Sequence, residues 1–488
     1  MDIAYDQPIS AELRREHCLI GGVWTAADSG EYLAVRNPAT GDTVGRVPAM
    51  GQTETKGAIE AARKAQREWA ARTAGERAET LLRWRDLVEE SRDDLARLLT
   101  MEQGKPLAEA RGEIAYAASF LRLYAEEARR IHGEIIPSNS ADTRIMVLRE
   151  PIGVVACITP WNFPAAMITR KAAPAIAAGC AVVIKPAEET PLSALALAAL
   201  AEKAGLPAGV LNIVTGQPES IGAELCANPV VRALSFTGST EVGRLLATRC
   251  AATVKKLTLE LGGNAPFIVF DDADLDAAVE GAVISKFRQS GQSCVGTNRF
   301  LVHDSVYETF AAHFAARVRG LTVGNGLTAG TDIGPLINQQ ALGKVREHVA
   351  DALAQGADLL VGGSEIEGGT FFAPTVLGNA TTTMRIAAEE TFGPVAALFR
   401  FQTEAEAIAL ANATEFGLAA YFYSQDLRRV WRVAEQLESG MVGINTGFLS
   451  VEVAPFGGVK QSGLGREGSH HGIEEYTEMK YLNFGGMA

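Results

Sequence analysis

Val154-Val155-Ala156-Cys157-Ile158-Thr159-Pro160-Trp161-Asn162-Phe163-Pro164 is the stretch on which the fold turns. Its first five residues are apolar without alternation, which describes a strand buried on both faces. Thr159 and Pro160 end it, and residues 164–178 read as a helix. The same unit then repeats. Ala181-Val182-Val183-Ile184 precedes a helix at 192–204, and Leu211-Asn212-Ile213-Val214 precedes one at 220–227. Ala233-Leu234-Ser235-Phe236 precedes one at 241–251. Short apolar strands alternating with helices imply parallel βαβ units, a sheet covered on both faces, and a ligand outside the carboxyl ends of the strands.

Downstream, a second α/β series begins near Pro266-Phe267-Ile268-Val269. It continues through strands at 300–302, 399–401, 421–423 and 442–444, with helices at 307–319 and 340–354, and reads as a domain on its own sheet. Upstream, residues 18–50 are short strands and turns, with a hairpin signal at Gly21-Gly22. Three helices follow at 53–72, 74–102 and 106–131, and their charges read as solvated faces. Residues 144–150 form an exposed strand, and the alternating 475–481 resemble an edge strand.

The 488 residues call for two or three domains. With 47% hydrophobic and 21% charged residues the chain is ordinary for a globular protein. A net charge of −13 argues against nucleic acid as a partner. The six cysteines form no C-x-x-C pair and fit a reducing cytosol, and the histidines show no metal-ligand spacing. Asp2, Asp6 and Glu12 precede any apolar run, so no secretory signal is expected. No apolar run has the length of a membrane span.

Several residues carry chemistry, each beside a plainer reading. Cys294 follows a helix over 275–287 on the polar loop Ser290-Gly291-Gln292-Ser293, reachable as a nucleophile or simply a buried thiol. Asn162 at a strand end offers an amide donor for an oxyanion, or caps a turn. Glu260, between apolar residues and before Gly262-Gly263, suits a general base or a structural pair. Gly238 and Ser239 lie at a strand-to-helix turn that favours a phosphate, or are a cap, and the G-x-G-x-x-G fingerprint is absent. Lys185 and Glu188 at a strand end suit ribose hydroxyls or phosphate, or are a surface Lys and a helix-start Glu.

Together these pieces resemble the NAD(P)-dependent aldehyde dehydrogenase superfamily from about residue 20 to 481. The matching motifs are Pro160-Trp161-Asn162-Phe163-Pro164, Lys185-Pro186-Ala187-Glu188, Phe236-Thr237-Gly238-Ser239-Thr240 and Leu259-Glu260-Leu261-Gly262-Gly263. Gly291-Gln292-Ser293-Cys294, Glu390-Thr391-Phe392-Gly393-Pro394 and Pro455-Phe456-Gly457-Gly458 complete them. Met167-Ile168-Thr169-Arg170-Lys171, Ser285-Lys286-Phe287-Arg288 and Ser462-Gly463-Leu464-Gly465-Arg466-Glu467-Gly468 further resemble succinate-semialdehyde dehydrogenases.

The resemblance implies an α/β fold. A parallel Rossmann-type dinucleotide-binding domain would span 1–129 and 151–264, and a catalytic domain 265–455. A small β oligomerisation arm and C-terminal tail would take 130–150 and 456–488, making a homo-oligomer, dimer or tetramer. It implies that Cys294 attacks the aldehyde, that Asn162 and the Cys294 N–H hold the oxyanion, and that Glu260 activates the water that releases the acid from a thioester. Trp161, Lys185, Glu188, Gly238, Ser239, Leu261 and Glu390 would hold the dinucleotide. Glu188 should accept ribose hydroxyls and repel a 2′-phosphate, which leans to NAD over NADP.

Arg170, Arg288 and Ser450 match the positions such enzymes use for a distal carboxylate. Burying that charge needs a partner, and guanidinium matches it. The implied reaction is oxidation of succinate semialdehyde to succinate. The alternatives are glutarate semialdehyde, one methylene longer and therefore weakly discriminated, or a broader aldehyde range. No metal is implied. Gly296 stands where some relatives have a second cysteine, so a neighbouring disulfide switch is not expected.

Overall fold

The expected βαβ rhythm forms a six-stranded sheet in the computed structural model, which describes residues 9–487. Its order is Gly463–Leu464, Lys256–Glu260, Val231–Thr237, Val154–Ile158, Ala181–Lys185, Leu211–Ile213. All neighbours are parallel except Gly463–Leu464, which joins the edge antiparallel. That short strand lies within the stretch expected to belong to arm and tail.

The chain starts in the sheet at Val154–Ile158, moves outward through two strands, then crosses back to Val231–Thr237 on the other side. The order therefore reverses beside Val154–Ile158, and a crevice opens at the carboxyl ends there. Ile158 pairs with Lys185 on one side and Phe236 on the other, so Asn162, Lys185 and Gly238 leave the sheet at one edge.

The second sheet has seven strands, in the order Asp358–Val361, Thr375–Gly378, Val395–Phe401, Thr297–His303, Ala265–Val269, Ala419–Tyr423, Met441–Ile444. Only Asp358–Val361 is antiparallel to its neighbour. Cys294 and Glu390 lie just before two of its central strands, at their amino ends. A third, antiparallel sheet joins Thr477–Phe484, Arg144–Pro151 and Glu134–Ile136.

The N-terminal helices pack Trp69, Trp84, Phe120 and Tyr124 against the first sheet's helical layer. Each indole finds a partner: Trp69 Nε1 donates to the Ile176 carbonyl at 2.9 Å, and Trp84 Nε1 to Leu197 at 3.1 Å. Phe267, Phe300, Phe310 and Phe314 fill the core on one face of the second sheet. The hairpin turn falls at Gly21 and Gly22, both with positive φ, between Cys18–Ile20 and Val23–Thr25.

Two expectations change. The helix expected over 74–102 is two, Ala74–Glu90 and Arg92–Gln103, broken at Ser91, whose backbone leaves the helical region. The charges expected on solvated faces turn inward at Glu102, Lys105 and Glu113, all buried. Glu102 accepts the N–H groups of Leu192 (2.8 Å) and Ser193 (2.9 Å) in the first turn of Pro191–Lys203. Glu113 accepts those of Ala165 (2.9 Å) and Ala166 (3.2 Å) at the start of Ala166–Ala178. Helix N-termini carry unpaired N–H groups and partial positive charge, so they draw carboxylates into the core. Among the described residues no helix is long and apolar enough to cross a membrane; Asp2 and Asp6 lie outside those residues.

Candidate active site

The helix Leu275–Phe287 starts at Asp274, whose side chain caps Ala277 N–H at 3.1 Å. It ends in three successive left-handed residues, Gln289 (φ 57°), Ser290 (φ 57°) and Gly291 (φ 73°). Glycine takes that conformation freely, whereas for Gln and Ser it costs on the order of 1–3 kcal/mol each. The surroundings hold it. Gln289 N–H donates to both Glu109 carboxylate oxygens (2.9 and 3.1 Å), and Gln289 Nε2 to the Asn162 carbonyl. Ser290 Oγ donates to the Gly334 carbonyl (2.9 Å), and Gln292 Oε1 accepts Ile337 N–H (2.9 Å). The turn thus swings Cys294 off the helix axis and into a cavity.

That cavity measures about 1060 Å³ and lies between the carboxyl edge of the first sheet and the amino edge of the second. Ten of the thirteen residues singled out in the sequence line it. Trp161, Gly238, Ser239, Leu261 and Glu390 share its wall with Asn162, Cys294, Arg170, Arg288 and Ser450. Lys185, Glu188 and Glu260 are not on that wall. Lys185 and Glu188 form an ion pair at the end of their strand, while the next residue, Glu189, does face the cavity.

Along one wall the helix Thr240–Cys250 points its N-terminus at the cavity. Ser239 caps it, accepting Val242 N–H at 3.3 Å. A Cβ on Gly238 would collide with the Phe236 ring. The buried Thr237 hydroxyl, also on the wall, has no hydrogen-bond partner. Free N–H groups, positive dipole and an unpaired hydroxyl suit the phosphates of a dinucleotide.

Around the sulfur the electrostatics are acidic. Burial pushes the Cys294 thiol up to about 12, and the Glu390 carboxylate adds to the push. Burial lifts Glu390 itself to about 7 while its Oε1 accepts Gly263 N–H at 3.1 Å. Glu260 is 2% exposed, and neither carboxylate oxygen has a hydrogen-bond partner. Burial, then the charge of Glu467, raises it well above the usual carboxylate range. A Cβ on Gly457 would stand 2.9 Å from Glu260 Oε1, so glycine there leaves this carboxyl its room.

Asn162 is fixed from three sides. Its Nδ2 donates to the Gln292 carbonyl (3.1 Å), its Oδ1 accepts Phe163 N–H (3.1 Å), and its own carbonyl accepts from Lys105 Nζ (2.8 Å). Only one of its two amide N–H bonds is used in this way.

The two arginines differ. Arg170 donates to the Tyr116 hydroxyl at 2.6 Å and lies 3.6 Å from the Glu467 carboxylate, with its guanidinium 4.1 Å from the Phe456 ring centroid. Arg288 lies 4.8 Å from the Phe448 centroid and 5.9 Å from that of Phe163. Among the described residues no carboxylate reaches it within ion-pair distance, although the charge of Glu109 acts on it, and Arg288 lines the cavity.

Sequence reasoning missed Lys105, Glu109, Glu113, Tyr116 and Glu189. A signal existed: 109, 113 and 116 recur at helical spacing on one face of Leu107–Glu127. Among the described residues no group of three or more His, Cys, Asp or Glu is placed to hold a metal.

The sequence model of the aldehyde dehydrogenase family matches residues 24–482. The chain is 61% identical over 478 residues to a glutarate-semialdehyde dehydrogenase of Pseudomonas aeruginosa, covering 98% of this chain and 99% of that protein. It is 60% identical over 476 residues to the NADP(+) succinate-semialdehyde dehydrogenase GabD of Escherichia coli, covering 97% and 99%. The crystal structure of succinate-semialdehyde dehydrogenase from Burkholderia pseudomallei superposes with a TM-score of 0.97 at 62% identity, covering 98% of this chain and 99% of that one.

Proposed function

The chain belongs to the aldehyde dehydrogenase family, and from that premise we propose that it oxidises short semialdehydes carrying a distal carboxylate, succinate semialdehyde first. Glutarate semialdehyde is the alternative, favoured by a relative of nearly equal identity. The observation that carries the substrate class is Arg288, whose guanidinium shares a wall with Cys294 and has, among the described residues, no carboxylate within ion-pair distance. An apolar aldehyde gives no return for leaving such a charge unpaired.

When bound, a nicotinamide dinucleotide supplies the two-electron acceptor of the oxidation. Trp161, Thr237, Gly238, Ser239, Leu261 and Glu390 would hold it along the helix N-terminus, with Lys185 and Glu188 at the ribose edge. The protein's own work begins at the sulfur. The small fraction of Cys294 present as thiolate, its proton lost to solvent water, forms a bond to the carbonyl carbon, and the carbonyl π electrons move to oxygen. The free Nδ2–H of Asn162 and the Cys294 N–H hold that oxyanion. Once the carbon has given up its hydrogen as hydride, for which the bound dinucleotide would be the acceptor, the oxyanion's electrons re-form the carbonyl and the acyl group remains on Cys294 as a thioester. Glu260 then takes a proton from water, the water oxygen bonds to the acyl carbon, and the sulfur leaves as thiolate. Its raised proton affinity suits a base, and Gly457, without a Cβ, leaves the carboxyl uncrowded.

NAD is favoured over NADP. Lys185 is already neutralised by Glu188, which removes the cation a 2′-phosphate would need and leaves a carboxylate to repel it. In this reading the six-stranded sheet is the dinucleotide-binding domain, and the seven-stranded sheet carries the nucleophile. The three-stranded sheet, with Ile135, Met479 and Tyr481 exposed, joins a second copy in a dimer or tetramer. All six cysteines are unpaired, which fits a reducing cytoplasm.

The test is kcat/KM for four- and five-carbon semialdehydes against propanal and butanal, with each nicotinamide cofactor. Semialdehydes are expected to lead by at least about a hundredfold, the size of a buried charge pair. Equal values across the panel would overturn the substrate class.

A further inference from the structure

Gly112 sits in the second turn of the helix Leu107–Glu127, inside the helix, where glycine lowers stability relative to alanine. No close contact explains it: a Cβ built there would meet no atom within 4 Å. Its φ is not positive either, so the backbone does not demand glycine. Yet Gly112 lines the cavity that holds Cys294 and is exposed where that cavity opens.

Its neighbours on the helix fix where it looks. Glu109, three residues before, receives the N–H of Gln289, the residue next to Arg288. Tyr116, four residues after, receives the Nη2 donor of Arg170. Residues three and four apart share a helix face, so Gly112 lies between these two attachments. The charge of Arg288 acts on both Glu109 and Tyr116, and Arg170 bonds Tyr116, so Gly112 borders the part of the cavity wall that the two guanidinium groups share.

We propose that Gly112 sets the length of acyl chain the enzyme accepts: the side chain it lacks is the space that a five-carbon semialdehyde uses when its carboxylate reaches the arginines. This rests on the reading of Arg170 and Arg288 as the carboxylate's partners. A four-carbon chain leaves that space partly unfilled, and a five-carbon chain bends into it. A side chain at 112 would remove the bend's room while leaving the sulfur, the oxyanion donors and both arginines in place.

Gly112→Ala and Gly112→Val test it, through the ratio of kcat/KM for glutarate semialdehyde over succinate semialdehyde. The ratio is expected to fall stepwise, by at least about tenfold for valine, the value of one methylene's worth of fit. Melting temperatures should not fall for the alanine variant, since alanine favours the helix. A ratio within about twofold of wild type in both variants, or a ratio that rises, overturns the role of Gly112. Failure of the parent reading shows elsewhere: the wild type would then not prefer semialdehydes to propanal, and the Gly112 ratio would still be measured on whatever turnover each semialdehyde has.

Discussion

Lys105 reaches across the fold to donate its ammonium to the carbonyl of Asn162 at 2.8 Å, while Glu113 holds it in a buried ion pair. The same Glu113 caps the helix that begins after Asn162. One carboxylate thus ties Asn162 to a helix start, and the lysine locks both.

Lys105→Met should therefore damage stability and chemistry together. Glu113 would remain buried without its cation, a loss of about 3–5 kcal/mol. Denaturant unfolding should show that loss, and kcat should fall with it as Asn162 loses its anchor. Lys105→Met with Glu113→Gln removes both charges and should recover part of the stability. No recovery would mean that the pair matters through packing and not through charge.

Arg288→Ala should raise KM for semialdehydes at least about thirtyfold, while propanal changes by less than about threefold. Steady-state kinetics on both substrates checks it. Equal losses would show that Arg288 supports the loop and does not bind the carboxylate. Arg170→Ala is expected to hurt both substrates and stability, because Arg170 also serves Tyr116 and Glu467 inside the fold.

Burial raises the Cys294 thiol, and Glu390 raises it further because a neighbouring negative charge disfavours the thiolate. Glu390→Gln removes that charge, lowers the thiol's proton affinity and should speed alkylation by iodoacetamide several-fold. Glu390 itself titrates at about 7. Wild type and variant should therefore react alike near about pH 5.5, where Glu390 is protonated, and separate above about pH 8. A pH-independent difference would place the effect in access and not in charge.

Much of this architecture was readable from the chain because βαβ periodicity and strand-end glycines are local signals. Asn162, Gly238 and Cys294 sit at the ends of elements whose apolar runs announce them, and the fold then gathers them at one crevice. Glu109, Glu113 and Lys105 were not readable, since their meaning depends on helix starts far away in sequence. A carboxylate on an amphipathic helix looks solvated until the N–H groups it caps are known. The left-handed turn at Gln289 and Ser290 was hidden for the same reason: nothing in those two residues favours it, and Glu109, Asn162 and Gly334 impose it.

Glu188→Ala should free Lys185 and remove a repulsive carboxylate. The ratio of kcat/KM with NADP over NAD is expected to rise by roughly tenfold or more, a change of about 1.4 kcal/mol in relative transition-state binding. Initial rates at varied cofactor concentration check it. An unchanged ratio would show that the ribose edge is read by other residues.

In the proposed mechanism one sulfur carries the acyl group and one carboxyl releases it. Glu260→Gln, mixed with succinate semialdehyde and NAD and quenched in acid, should give a burst of reduced cofactor and a succinyl group on the peptide that contains Cys294, read by mass spectrometry. A burst with that peptide unmodified, or steady turnover undiminished by the substitution, would contradict it.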